Sequence, residues 1–374
     1  MHVLVFGTYD VSMHPRVGPL AEGLRASGVT VTECNAPLGL STAARVDMLA
    51  RPWRAAGLVA RLARRWAALA RSARRLPQPD VVLVGYLGHF DVHLARLLFR
   101  RAQLVLDHLA GASDTARDRG LDGGPRQAAA RWIDAAALRA ADVIVVDTEE
   151  HQATLPAAAQ ARSVVVPVGA PPAWFTAARE PADRAPGPLR VVFFGLFTPL
   201  QGAPVIGAAL ARLAGTGIEV TMIGTGQDLS AAQAAARGNA AVSWLDWVPA
   251  AGLPALVASH DVCLGIFGTG PKALRVVPNK VFQGAAAGCA VVTSGTPPQR
   301  RTLGDAAVLV PPGDPEALAA ALLRLAGDPA ELAGLRGRAR RLADERFAAH
   351  QVVAPLLPSL DPAAPARLAG QAPA

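Results

Sequence analysis

Short apolar runs alternate with amphipathic segments along almost the whole chain. In the first half the apolar runs are HVLVFG (2–7), VTVTEC (29–34), DVVLVGY (80–86), LVLDH (104–108), DVIVVDT (142–148) and SVVVPVG (163–169). A second series follows as LRVVFFG (189–195), IEVTMIG (218–224), AVSWLDWV (241–248), DVCLGIFG (261–268), AVVTSG (290–295) and AAVLVPPGD (306–314). Continuous short runs rich in valine and isoleucine read as strands buried on both faces, the habit of parallel sheets. The segments between them are amphipathic; RVGPLAEGLRASG, for example, stops at Gly28, a residue suited to a helix C-cap. The alternation predicts an α/β protein of two Rossmann-like, doubly wound domains facing a cleft.

The composition of the connecting stretches divides the chain further. PPAWFTAAREPADRAPGP (171–188) is rich in proline and alanine without a useful period and reads as a linker. The predicted organisation is an N-terminal domain over 1–172, a linker over 173–188 and a C-terminal domain over 189–345. A C-terminal helix over 346–360 packs back toward the first domain, and 361–374 forms a disordered tail. At 374 residues, half of them apolar, each domain has material for a proper core. No run of about 18 apolar residues suggests a membrane span. The start MHVLVFGTYD reads as a first strand and not a signal peptide, so the cytoplasm is the expected location. Cys34, Cys263 and Cys289 are far apart and lack zinc or redox spacing, so they read as buried small side chains, and no metal is expected.

Charge sharpens the picture. The net charge is +8, and nearly all the cations are arginine; the two lysines, Lys272 and Lys280, both lie within PKALRVVPNKVFQGAAAG (271–288). An excess of positive charge favours anionic partners. Two glycine turns, FFGLFTPLQG and MIGTGQ, follow predicted strands of the second series. Glycine there lets backbone approach a ligand at the carboxyl edge of a sheet, or simply makes a tight strand-to-helix connection.

Four segments together resemble the GT-B glycosyltransferases, specifically the retaining, nucleotide-sugar-dependent family 4. They are VFGTYDVSMHPRVGPLAEGL near the N-terminus, VVVPVGAPPAWF, VVFFGLFTPLQGAPVIGAAL and VPNKVFQGAAAGCAVVTS. The resemblance implies transfer of a sugar from a nucleotide diphosphate sugar, with retention, to a small-molecule or lipid-linked acceptor, with no cofactor or metal. It places Tyr9, His14 and Arg16 on the acceptor side, Gly195, Gln201 and Gly202 by the diphosphate, and Gly224 and Gly226 near the base. The family's E-x7-E pattern falls on Arg275 and Gln283, and Gln201 stands where the family has a lysine. Gln283 can still accept from a ribose hydroxyl, whereas Arg275 cannot accept from a sugar. A histidine at the end of the fourth strand contacts the donor sugar in the family, which implies that role for His108, with Asp107 beside it. The competing reading is a satisfied turn residue; for His89 and Asp114 a structural role is expected.

A nucleotide sugar explains the lysines. Its diphosphate gains negative charge as the glycosidic bond breaks, and an ammonium is a compact point charge where a guanidinium is a broad fork. Pro278 opens a helical pattern and leaves backbone N–H groups of 279–281 at a helix N-terminus, an anion site. Lys280 and Asn279 are therefore expected at the diphosphate, with Lys272 and Arg275 nearby; the alternative is a chance pair on a solvated loop. Between Arg51 and Arg75, Leu58, Leu62, Trp66 and Leu69 share one helical face and Arg54, Arg61, Arg64, Arg71 and Arg75 the other. Such a helix packs on its own domain or lies on an anionic membrane as a peripheral contact. No aromatic-interleaved basic platform suggests nucleic acid. Two other functions fit the same frame: a sugar-nucleotide epimerase or hydrolase, and a non-catalytic partner subunit.

Overall fold

In the computed structural model the described residues are 1–11, 15–39, 52–109, 111–118, 123–178 and 187–360, with the side chains of 52–56 excepted. His14, the linker residues 179–186 and the tail 361–374 lie outside them. The chain forms two compact units: Met1–Pro167 together with the segment from Val352 onward, and Val168–Gln351.

The first unit is built on β1 (His2–Gly7), β2 (Thr30–Asn35), β3 (Val81–Val84), β4 (Gln103–Asp107), β5 (Val143–Val146) and β6 (Ser163–Val165). They form one sheet in the order β2-β1-β3-β4-β5-β6. Every pairing is parallel, for example Phe6 opposite both Cys34 and Val84. β3, β4 and β5 are buried along their whole length, so each presents apolar side chains to both faces. Several strands stop short of their apolar runs. β3 ends at Val84, where its pairing with Phe6 ends, and Gly85 turns away against Tyr9. Val352, Val353, Leu356 and Leu360 are buried with Val3, Val5, Val81 and Leu83, and the Gln103 carboxamide donates to the Ser359 carbonyl at 3.0 Å.

The second unit holds β7 (Arg190–Phe194), β8 (Glu219–Ile223), β9 (Val242–Leu245), β10 (Val262–Leu264), β11 (Ala290–Ser294) and β12 (Ala307–Val310). These also form an all-parallel sheet, in the order β12-β11-β10-β7-β8-β9. Part of the predicted linker belongs to this unit's packing. Residues Pro172–Thr176 are helical, and buried Trp174 stacks on Phe194 with ring centroids 5.4 Å apart. Residues 346–351, expected to lead back to the first unit, group instead with the second.

The arginine-rich segment is a helix over Pro52–Ala73. Leu69 is buried, and half-buried Trp66 donates from its indole to Asp91 Oδ1 at 2.8 Å, so this part of the apolar face packs on its own unit. No described helix is long and apolar enough to cross a membrane.

Gly202 and Gly224 are among the glycines of the second unit dictated by backbone contact. A Cβ on Gly224 (φ +129°) would stand 1.9 Å from the Gly195 carbonyl oxygen, and one on Gly202 (φ +67°) 2.4 Å from the Phe267 carbonyl carbon. The loops after β7, β8 and β10 are thereby pressed together. Gly224→Ala is expected to destabilise the protein by about 2–4 kcal/mol, from overlap and an unfavourable φ together. Urea unfolding measures this, and a loss within error of zero would show that the loops part without strain.

Candidate functional site

In the second sheet the strand order reverses between β7 and β10, and the chain leaves those two strands in opposite directions. Such a switch point opens a crevice at the carboxyl ends of the strands, where α/β sheets bind ligands. The loop after β7 carries Gly195, Gln201 and Gly202, and the loop after β10 carries Lys272 and Arg275 before entering the helix Asn279–Ala286. Pro278 is extended and has no N–H to lose, which sets the chain for helix entry. The Val281 N–H bonds back to the Pro278 carbonyl at 3.0 Å, which removes it from the predicted anion site. The N–H groups of Asn279 and Lys280 have no acceptor among the described residues.

Lys280 lies in the first turn of this helix and its side chain runs into the switch point. It is buried, its Nζ donates to Gln201 Oε1 at 2.5 Å, and the ammonium sits 3.6 Å from the centre of the Phe193 ring. A Cβ at position 195 would come within 3.2 Å of Nζ, so glycine leaves the ammonium its room. Burial lowers the Lys280 pKa to about 7, opposed only by the nearby Cys263 thiol, which is itself pushed up to about 12 by burial. Among the described residues no carboxylate acts on it. An amide oxygen and an aromatic face compensate a buried cation incompletely, and an anion would complete the site.

Gln201, which stands where a lysine was expected, thus supplies the acceptor that a second ammonium could not. Gln283 is buried three residues further along the helix; Lys272 and Arg275 are half-buried on the preceding loop and its 3-10 turn Ala273–Arg275. Gly224 and Gly226 follow β8, with Gly224 against the Gly195 carbonyl and Gly226 against Phe197. Direct contact therefore unites Lys280, Gln201 and Gly195. Phe193 was missed by sequence reasoning, because an aromatic on a central strand reads as core.

The first unit corrects several expectations. Arg16 is not on an open acceptor loop. Its buried guanidinium pairs with Asp107 (Nε to Oδ1, 3.2 Å) and donates to the carbonyls of Pro167 at 2.5 Å and Val166 at 2.9 Å. Tyr9 is buried as well, its hydroxyl donating to Glu33 Oε2 at 3.2 Å; burial, then Glu33, pushes its pKa up. Asp107 serves Arg16 and not His108; burial raises its pKa against the pull of Arg16. Asp114 pairs with Arg117 at 3.5 Å.

His108 follows β4 directly, its N–H donating to the Val145 carbonyl at 2.8 Å. The imidazole is only 5% exposed and stands between the rings of His89 and His151, at 5.5 and 5.6 Å. Burial, then His89 and His151, lower its pKa to about 3. Among the described residues neither ring nitrogen has a hydrogen-bond partner, and both are enclosed, so a sugar hydroxyl would reach them only if the ring were uncovered. His89 Nε2 lies 3.2 Å from Asp134 Oδ1, within ion-pair distance but not aligned as a hydrogen bond. Burial works against ionisation of Asp134, but His89 and the hydrogen bonds from Ser113 outweigh it and hold the carboxyl at about 2. The three cysteines are buried free thiols.

Residues 188–328 match the family model described as Glycosyl transferases group 1. Solved structures of the same overall architecture include a sucrose-phosphate synthase from Thermosynechococcus elongatus, with TM-score 0.70 and 15% identity over 96% of this chain and 98% of that one. Anabaena HepE in complex with UDP-glucose has TM-score 0.62 and 15% identity, covering 96% and 99%. The trehalose-6-phosphate protein of E. coli bound with UDP-2-fluoro glucose has TM-score 0.64 and 15% identity, covering 97% and 99%. No curated protein sequence matches the chain significantly. The two parallel six-stranded units are the GT-B fold, and the second carries a glycosyl transferases group 1 domain.

The lowered lysine pKa makes stability depend on pH. Below about pH 7 the native chain bears a buried charge that the unfolded chain solvates. Between about 7 and the ordinary lysine value of 10.5 the unfolded state binds the extra proton, so this group's contribution to stability rises with pH. Lys280→Met removes that titration. Its stability relative to the parent is expected to be highest at or below pH 7 and to fall as pH approaches 10, in urea unfolding at matched ionic strength. A difference independent of pH would mean that the ammonium is solvated.

Proposed function

We infer that this glycosyltransferase, with its group 1 domain and GT-B fold, takes a hexosyl group from a nucleoside diphosphate sugar bound at the β7/β10 switch point and passes it to an acceptor with retention. The observation that carries this reading is the buried Lys280 ammonium, placed where strand order reverses and facing no carboxylate among the described residues. In the free protein it rests on Gln201 Oε1. A diphosphate would replace that neutral acceptor with an anionic one, and the free N–H groups of Asn279 and Lys280 would add two further donors.

As the bond from the sugar to the diphosphate breaks, charge grows on the leaving oxygens, and Lys280 stabilises that growth more than it stabilises the bound donor. Gly195 allows the phosphate to approach, Gln283 accepts from the ribose, and Lys272 and Arg275 extend the positive loop over the diphosphate. Retention follows if the leaving phosphate takes the acceptor's proton while the acceptor attacks from the same face. The protein then positions groups and stabilises charge without a nucleophile of its own.

The acceptor is small or lipid-linked. Leu38, Gly39 and the exposed Arg61, Arg64 and Arg65 line a cavity of about 460 Å³, and three guanidiniums in one place favour an anionic surface such as a phospholipid headgroup layer.

Calorimetry with UDP tests the donor site. The parent is expected to bind UDP and, at pH 8, to take up close to one proton, because the phosphate restores the Lys280 charge. Affinity should therefore fall as pH rises above about 7, and Lys280→Ala should weaken binding at least tenfold, about 1.4 kcal/mol. Equal affinity in parent and variant would remove the diphosphate from this residue. With UDP-glucose alone, epimerised donor in place of transfer would assign the site to an epimerase.

Vesicle sedimentation tests the surface. Vesicles with anionic lipid should bind the protein in a salt-sensitive way, neutral ones should not, and joint replacement of Arg61, Arg64 and Arg65 by glutamine should abolish the difference. Equal binding of parent and triple variant would exclude this face.

A further inference from the structure

We propose that His89, His108 and Asp134 form a binding site for one divalent transition metal ion of the zinc class in the first unit. Each side chain offers one ligand atom, these atoms all lie within 4.8 Å of one another, and all three residues are buried. Two imidazole nitrogens and a carboxylate oxygen are a donor set suited to zinc and its neighbours, with a position left for water or another ligand.

The polar accounting of the cluster calls for an occupant. Both nitrogens of His108 and Nε2 of His89 are buried without a hydrogen-bond partner among the described residues. Orphaned buried nitrogens are rare, and in a neutral imidazole one nitrogen carries a lone pair while the other carries an N–H. A cation would take one lone pair from each of His89 and His108, and the adjacent carboxylate supplies charge to balance it. Three ligands around zinc at about 2.0–2.1 Å stand roughly 3.4 Å apart. His89 Nε2 and Asp134 Oδ1 are already 3.2 Å apart, and the ligand atoms of all three residues lie within 4.8 Å of one another, so the remaining adjustment is for His108 to close in.

The surroundings are built to hold these ligands. Asp134 is oriented by the N–H of Ala112 at 2.7 Å, and by the N–H and hydroxyl of Ser113 at 3.0 and 2.6 Å. Such outer contacts fix a ligating carboxylate. A Cβ on Gly111 would stand 3.1 Å from Asp134 Oδ2, so the loop crosses close over the carboxylate. His108 packs against His151, which Asp147 fixes at 2.7 Å. His89 follows a turn in which Leu87 has φ +61° and Gly88 leaves no room for a Cβ, 2.3 Å from Val84 Cγ1. Strain of this kind in a bulky residue persists where the surrounding structure over-determines it. The ion would tie the β3 and β4 loops to the helix Gly124–Ala140.

The experiment uses the full chain purified without a histidine tag, stripped with chelator and titrated with Zn²⁺ and Co²⁺. The expected result is one ion per chain, a rise in Tm on reloading, and a Co²⁺ spectrum without a thiolate charge-transfer band. Zinc X-ray absorption on the parent should give a nitrogen and oxygen shell with imidazole scattering. This measurement needs no variant and stands if the variants fold poorly. His108→Ala and Asp134→Asn, checked for folding by circular dichroism, should each weaken zinc binding at least about 100-fold. A parent chain that binds less than one ion, a sulfur-containing shell, or folded variants that bind as the parent does would each overturn the site.

Discussion

An ammonium buried without a counter-charge among the described residues is the feature on which the second unit turns. Lys280 reaches the point where the sheet order reverses because its helix starts there and Pro278 fixes the entry. It can stay there because Gly195 has no side chain, Phe193 offers a ring face and Gln201 an amide oxygen. Each partner is neutral, so the free protein bears part of the cation's desolvation. A carboxylate in place of Gln201 would compensate the cation more fully, so its incomplete compensation is a consequence of choosing a neutral partner at that position.

The loops that frame this lysine have little freedom to relax. Gly224 lies under the Gly195 carbonyl, Gly226 under Phe197 and Gly202 under Phe267, so three strand exits are locked by backbone packed on backbone. Side chains adjust by rotamer, but backbone contacts of this kind do not. The position of Gln201, and through it the resting place of Lys280, follows from contacts that no longer side chain could make. Rigidity at the carboxyl edge is what lets one ammonium be aimed.

The strands of the described residues were legible because parallel strands buried on both faces leave unbroken apolar runs in the sequence, and the first series of runs falls in one sheet and the second in the other, although their order within each sheet was not legible. Lys280 was legible because lysine is otherwise almost absent and because proline opens its helix. What stayed hidden depends on tertiary pairing. Arg16 reads as a loop cation beside a histidine, yet it is buried on Asp107 and the 166–167 carbonyls, about 90 and 150 residues away in sequence. Phe193 looks like any core aromatic until a cation is seen over it. His89, His108 and Asp134 are spread over 46 positions and match no metal-ligand spacing; only the order of strands β3 and β4 and the return of a helix bring them together.

The two carboxyl edges solve opposite problems with buried polar groups. In the first unit Arg16 has Asp107, His151 has Asp147, and Asp91 takes the Thr8 N–H and hydroxyl together with the Trp66 indole. Apart from Asp107 Oδ2, which has no hydrogen-bond partner among the described residues, these groups are matched within the protein. Against that background the His108 nitrogens, without a hydrogen-bond partner among the described residues, stand apart. A buried amine with neutral neighbours and buried imidazoles beside a carboxylate are each incompletely compensated by the groups described around them. Sign and donor type, read atom by atom, thus distinguish polar groups fully paired within the fold from those that are not.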